Sequence, residues 1–294
     1  MAPCSNHAQT GGADFSLPAL FSRSITPMQI PFTKAHGAKN DFLLTWQSEA
    51  PATDLPQTAA AICNRYTGVG ADGWMLVDPT SGEGYDATIR LFNSDGSEPE
   101  ISGNGTRCAA ALLVEHGHAK DAIRIRTGAG VKHLRLLSRK PSEFRFEMNM
   151  GVPRIIALRE TIDLTSGSRE ATLLDVGNPQ CAYIVDNFDL DWRAIGAETE
   201  RHPRFPKRTN VSFIRPLDAH SIDVRFFERG AGETISSGTG STGAAVTAIS
   251  RGLAKTPVKV SELVLAWQGP EAPVYLTGPA QIIAEGIYRH EIIL

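Results

Sequence analysis

The chain has 294 residues, of which 41% are hydrophobic and 21% charged, a balance that suits a globular protein with one or two cores of ordinary size. A formal net charge of −3 offers no basic footprint for nucleic acid, and no apolar run reaches the roughly 18 residues that a membrane span needs. Cys4, Cys63, Cys108 and Cys181 have neither CxxC nor metal-ligand spacing, so free buried thiols, a reducing compartment and no metal site are expected.

Residues 1–27 lack a basic start followed by an apolar centre and are rich in Ser, Ala, Gly and Pro; a disordered leader is expected there. "MQIPFTKAHGAKNDFLLTW" reads as strand, glycine turn, strand. "DLPQTAAAICNRY" reads as a short helix with Asp54 as its cap, and "ADGWMLVDP" as a strand. "YDATIRLFNSDGSE" alternates from Ala87 to Phe92 and breaks at Asp95-Gly96. After Gly105 the alanine- and leucine-rich "TRCAAALLVEHG" predicts a helix that closes at Gly117. "AIRIRTGAGVKHLRLL" and "EFRFEMNMGVP" add strands. The second half repeats the plan. Two strands flank Gly177-Asn178-Pro179, "SIDVRFFERGAGE" gives a strand and turn, "SGTGSTGAAVTAISRGLA" a helix, and the last residues strands.

The repeat holds at one fixed offset. Residues 89–120 shifted by 135 fall on 224–255 with eleven identities in thirty-two positions, among them Phe92/Phe227, Ser102/Ser237, Gly103/Gly238 and Gly105/Gly240. A match over a whole strand–turn–helix unit implies two similar α/β halves facing a common cleft. "SGNGT" and "SGTGS" each lead into a helix start, where unpaired amides and the macrodipole favour an anion. Paired cradles suit one small carboxylate-bearing ligand such as an amino acid. Ser102 and Ser237 are readable as helix caps, as reagents, or as both. Asn93 and Glu228 share one station of the repeat, and Arg229 is readable as a partner for a ligand carboxylate or as a plain salt bridge.

The segments "FTKAHGAKNDF", "NRYTGVGADG", "FNSDGSEPEISGNGTRC", "GNPQC", "FPKRTNVSF", "ERGAGETISSGTG" and "LTGPA" together resemble the signature segments of diaminopimelate epimerase, in that family's order over roughly residues 28–286. The resemblance implies a two-domain α/β fold, each domain a mixed sheet around a central helix. The expected division is 1–27 leader, 28–146 first domain and 147–294 second domain, with the last strands returning to the first. It implies inversion of the α-carbon of diaminopimelate between LL and meso forms, for lysine and cell-wall synthesis in the cytoplasm, with neither pyridoxal phosphate nor metal. A homodimer is compatible with it. The implied substrate shell is Asn40, Asn93, Gly103, Asn104, Asn178, Asn210, Glu228, Arg229, Gly238 and Thr239.

The same resemblance places cysteines where this chain has Ser102 and Ser237, one taking the α-proton and the other returning a proton to the opposite face. It also places a histidine where the chain has Gln180. Serine is a much weaker acid than cysteine, and glutamine is no base near neutral pH. The implied catalytic set is therefore Ser102, Ser237, Glu228 and Gln180, with the relay weakened. Three readings follow: an epimerase or related isomerase or dehydratase acting on a small carboxylate; an amino-acid binder that has lost its chemistry; and a cysteine-to-serine replacement made by design, against which Gln180 and "GTGSTG" point to natural divergence.

Overall fold

The structure, a computed structural model, describes residues 26–292. The expected leader lies outside the described residues, except that residues 26 and 27 already belong to the first strand.

The first half runs β1 (Thr26–Gly37), β2 (Asn40–Trp46), α1 (Leu55–Cys63), β3 (Gly73–Asp78), β4 (Ala87–Asn93), α2 (Gly103–Glu115), β5 (Ala122–Thr127), β6 (Gly130–Arg139) and β7 (Glu143–Asn149). The second runs β8 (Arg154–Ile162), β9 (Arg169–Asp175), β10 (Pro179–Ile184), α3 (Trp192–Glu200), β11 (Asn210–Asp218), β12 (Ser221–Glu228), β13 (Gly232–Thr234), α4 (Gly238–Ser250), β14 (Val258–Val260), β15 (Leu263–Ala266) and β16 (Tyr275–Ile292). All strands join one mixed sheet, in the order β1-β2-β3-β4-β5-β6-β7-β16-β15-β14-β12-β11-β10-β9-β8, with β13 on β12. The long β16 pairs with β7 and β15 and also with β1, which closes the first eight strands of that path into a ring.

The two repeat units share their bounds. Shifted by 135 residues, α2 falls on α4 end to end, and in each half the strand that opens the repeat unit pairs parallel with the strand after the helix, β4 with β5 and β12 with β14. In β5 the apolar positions Ile123 and Ile125 alternate inward, as a half-buried strand requires. The helices are wrapped by the sheet. Every residue of α2 from Gly103 to Val114 is buried, so the helix is apolar nearly all round instead of amphipathic. One apolar cluster runs through both halves, from Phe42, Leu112 and Phe146 to Val246, Leu263 and Leu265.

Three expectations need correction. Asp54 stands at the start of α1 in a left-handed conformation (φ 58°), and its carboxylate makes no cap bond. That helix stops at Cys63 because Asn64 Oδ1 accepts from the amides of Tyr66 and Thr67 and forms a turn. Helix α2 starts at Gly103, three residues earlier than its apolar run suggests, so the cradle glycines lie inside the first turn. Sequence reading also missed β8, α3, β11 and the short β13. Helix α3 is short and carries Gly196, which admits the Phe227 ring; a Cβ there would lie 2.8 Å from it. Strand β11 carries Pro216 at a register shift, which breaks its pattern.

Candidate active site

The two glycine-rich segments form matching helix starts. Ser102 caps α2, its Oγ accepting from Gly105 N at 3.1 Å, and Ser237 caps α4, its Oγ accepting from Gly240 N at 3.0 Å. The next amides, of Thr106 and Ser241, donate to the carbonyls of the same two serines. That leaves the amides of Gly103 and Asn104 in one helix, and of Gly238 and Thr239 in the other, without an acceptor among the described residues. The two starts touch. A Cβ on Gly238 would sit 3.3 Å from Gly103 Cα, a tight contact that the glycine at 238 avoids. Four unclaimed amides and two positive helix ends thus converge at one place.

That place is the floor of a cleft of about 870 Å³ between the halves. Among its lining are Ser102, Gly103, Asn104, Ser237, Gly238 and Thr239, together with Asn40, Asn93, Asn178, Asn210, Glu228 and Arg229. All the expected site residues are therefore gathered except Gln180. Gln180 is buried on β10 behind the wall. Its Nε2 donates to Asn178 Oδ1 at 2.7 Å, while Asn178 Nδ2 donates to Thr239 Oγ1 at 3.3 Å. Gln180, which the resemblance places in the catalytic set, thus does not line the cleft and bonds to Asn178, which does.

The two hydroxyls have unlike neighbours. Glu228 accepts from Thr234 Oγ1 at 2.7 Å, and the Ser237 hydroxyl is the other side-chain group that favours its charged form. Burial pushes its carboxyl above the usual range, and those two groups only partly oppose the shift. At the matching station of the first half Asn93 donates to Ser97 Oγ at 2.9 Å and can be no base. The thiols of the described residues offer no substitute: burial pushes Cys63, Cys108 and Cys181 each up to about 12, so none of the three is a thiolate near neutral pH.

The remaining polar side chains are held by each other. Asn210 Oδ1 accepts from Arg229 N at 3.0 Å, and Arg229 Nη2 reaches Glu100 Oε2 at 3.3 Å, an ion pair across the cleft from one half to the other. Asn40 donates to Asp72 Oδ2 at 2.6 Å, and Arg65 clamps both Asp72 and Asp41 at the rim. Burial pushes the Asp41 carboxyl up, but Arg65 and Lys34 outweigh it and hold the group below its ordinary value. Asn104 Nδ2 lies 3.2 Å from Asn40 Oδ1 and 3.3 Å from Ser236 Oγ, so it too bridges the halves. Sequence reasoning gave no role to Arg107, Glu100, Asp72 or Ser236. Only Arg107 carried a signal, as a charge inside an apolar helix run.

The family model described as diaminopimelate epimerase matches residues 32–156 and 172–283. A diaminopimelate epimerase of Azoarcus sp. (strain BH72) is 39% identical over 276 residues, which cover 88% of this chain and 98% of the relative. The chain belongs to the diaminopimelate epimerase family. The corresponding protein of Ectopseudomonas mendocina (strain ymp) is 38% identical over 279 residues, 89% of this chain and 100% of its own length. Solved structures with the same fold include a hydroxyproline epimerase from Agrobacterium vitis, with a TM-score of 0.66 at 15% identity over 91% of this chain and 94% of that one. A PhzF-family phenazine biosynthesis protein from Bacillus anthracis has a TM-score of 0.64 at 14% identity over 90% and 99%. At such identities the likeness concerns the fold: two pseudo-symmetric halves, here sharing one continuous mixed sheet, each half around a helix. Among the described residues no helix is long and apolar enough to cross a membrane.

Proposed function

We propose that this diaminopimelate epimerase family member interconverts LL- and meso-diaminopimelate without a cofactor, using Ser102 and Ser237 where the family resemblance places thiols. The observation that carries the reading is the meeting of two capped helix starts, with four unclaimed amides between two serines. In this reading the amides hold the carboxylate at the reacting carbon. As the α-proton leaves, negative charge flows into that carboxylate, where fixed donors stabilise it without reorganisation. Ser237 Oγ takes the α-proton while passing its own to Glu228. Ser102 gives its proton to the opposite face and recovers one from water in the open cleft. Arg229, Asn178, Asn210, Asn93 and Asn40 hold the far end of the molecule, and Gln180 acts through Asn178. A cytoplasmic homodimer, and a division into domains at residues 146/147, belong to the same proposal.

The test is α-proton exchange. LL-diaminopimelate incubated with the protein in heavy water should lose its α-proton signal and yield the meso form. Absence of exchange at high protein concentration contradicts the reading. The serine pair favours one competitor, a binder without turnover. Calorimetric binding of diaminopimelate with no exchange would establish that competitor, and exchange would end it.

A further inference from the structure

Arg107 is completely buried, yet among the described residues no carboxylate bonds to it. Its Nη1 donates to Gly103 O at 3.1 Å, its Nη2 to Asn104 Oδ1 at 2.6 Å and its Nε to Pro279 O at 3.1 Å. Besides burial, the groups that act on it are Cys108, next in the chain, whose thiol is neutral near pH 7, and the cation of Arg145 on β7. Burial lowers its pKa to about 10, which still leaves it charged at neutral pH. The fold makes room for it. A Cβ on Gly278, in the "LTGPA" segment, would lie 3.0 Å from its guanidinium carbon, and one on Gly37, in "AHGAKN", 3.3 Å from its Nη2. A buried cation without an anion is unfavourable, and two glycines leave space beside this one.

The repeat shows what is special about it. The residue at the same station in the second half is Thr242, whose hydroxyl donates to Gly238 O at 2.8 Å, the same bond to the same carbonyl without the charge. Gly103 O belongs to the peptide whose N–H is one of the four unclaimed amides, that of Asn104. A guanidinium on the carbonyl end makes the N–H end a stronger donor. The other arm fixes the Asn104 side chain, which reaches Asn40 and Ser236.

We propose that Arg107 is a positioning residue that supplies the missing half of an ion pair: the carboxylate of the ligand, bound on the first cradle, is its counter-charge, felt through the Gly103–Asn104 peptide. The inference rests on the carboxylate-binding reading of the cradles and makes them unequal, the first being the stronger anion site.

The experiment is calorimetric titration of the full-length protein with LL-diaminopimelate, using wild type, Arg107→Lys and Arg107→Met, each checked by circular dichroism. Arg107→Met should weaken binding at least 30-fold, and Arg107→Lys, which keeps the charge, less than tenfold. Should Arg107→Met fail to fold, Arg107→Gln, neutral but still able to donate, takes its place with the same limits. A neutral variant that binds within threefold of wild type overturns the inference. So do equal losses in the lysine and neutral variants, since a purely structural role would not register the charge. A wild-type protein that binds no diaminopimelate overturns the carboxylate reading itself along with the inference, which separates the two failures.

Discussion

Each serine has two duties at once. Its Oγ accepts a helix amide, and its proton remains free to be given elsewhere. Removing the cap by Ser237→Ala should cost about 1 kcal/mol of stability in urea unfolding, a loss small enough to leave the fold intact for an activity test. Only Ser237 has a carboxylate beside it, so the halves of the reaction should separate. Ser102→Ala is expected to exchange the α-proton of one stereoisomer with solvent without inverting it, because Ser237 and Glu228 can return a deuteron to the face they took it from. NMR of both stereoisomers in heavy water checks this; wild-type inversion by Ser102→Ala would show that Ser102 gives no proton. Glu228 also has a pH signature. Its folded pKa lies above its unfolded one, so the folded state holds more protons in that interval, and stability falls as pH rises from about 4.5 through the raised value. Glu228→Gln removes that slope and should melt higher than wild type at neutral pH while losing exchange. A lower melting temperature would mean that the buried charge is compensated. The serines, the asparagines and Glu228 were legible because the repeat and the family segments mark them. Arg107 and the true place of Gln180 were not. What Arg107 touches includes Pro279, 172 residues away, and Gln180 was placed in the catalytic set by the family position it fills, while its seat behind Asn178 is fixed only by folding.

At the scale of elements, the site depends on two helix starts meeting backbone to backbone. Alanine at Gly103 would put a Cβ 3.6 Å from Gly238 Cα, an ordinary contact; alanine at Gly238 would put one 3.3 Å from Gly103 Cα, where neither backbone can yield freely. Gly238→Ala is therefore expected to be the less stable of the two by about 1–3 kcal/mol, the usual cost of overpacking, and to bind diaminopimelate more weakly. Equal urea midpoints would place the helix starts farther apart than described. Helices α2 and α4 could be read from the sequence, although the start of α2 could not. The cap geometry draws glycines into the first turn that composition alone assigns to a loop. Helix α3 and strand β11 escaped because tertiary partners decide them: Phe227 over Gly196 in the one, and a register shift at Pro216 in the other.

The molecule as a whole is one sheet with two helices wrapped inside it, and its last strand ties the second half back to the first. Because one apolar cluster spans both halves, equilibrium unfolding should be a single transition, with far-ultraviolet dichroism and tryptophan fluorescence coinciding; two separated transitions would mean that the halves are stable alone. The pseudo-symmetry was visible at offset 135, whereas the closure by β16 joins segments too distant in sequence for any local pattern to announce. The measurement that bears most directly on the account is a crystal structure with LL-diaminopimelate bound. The account requires one carboxylate within about 3 Å of the Gly103, Asn104, Gly238 and Thr239 amides, with the α-carbon between Ser102 Oγ and Ser237 Oγ on opposite faces. A ligand held elsewhere, or both hydroxyls on the same face of that carbon, would contradict it.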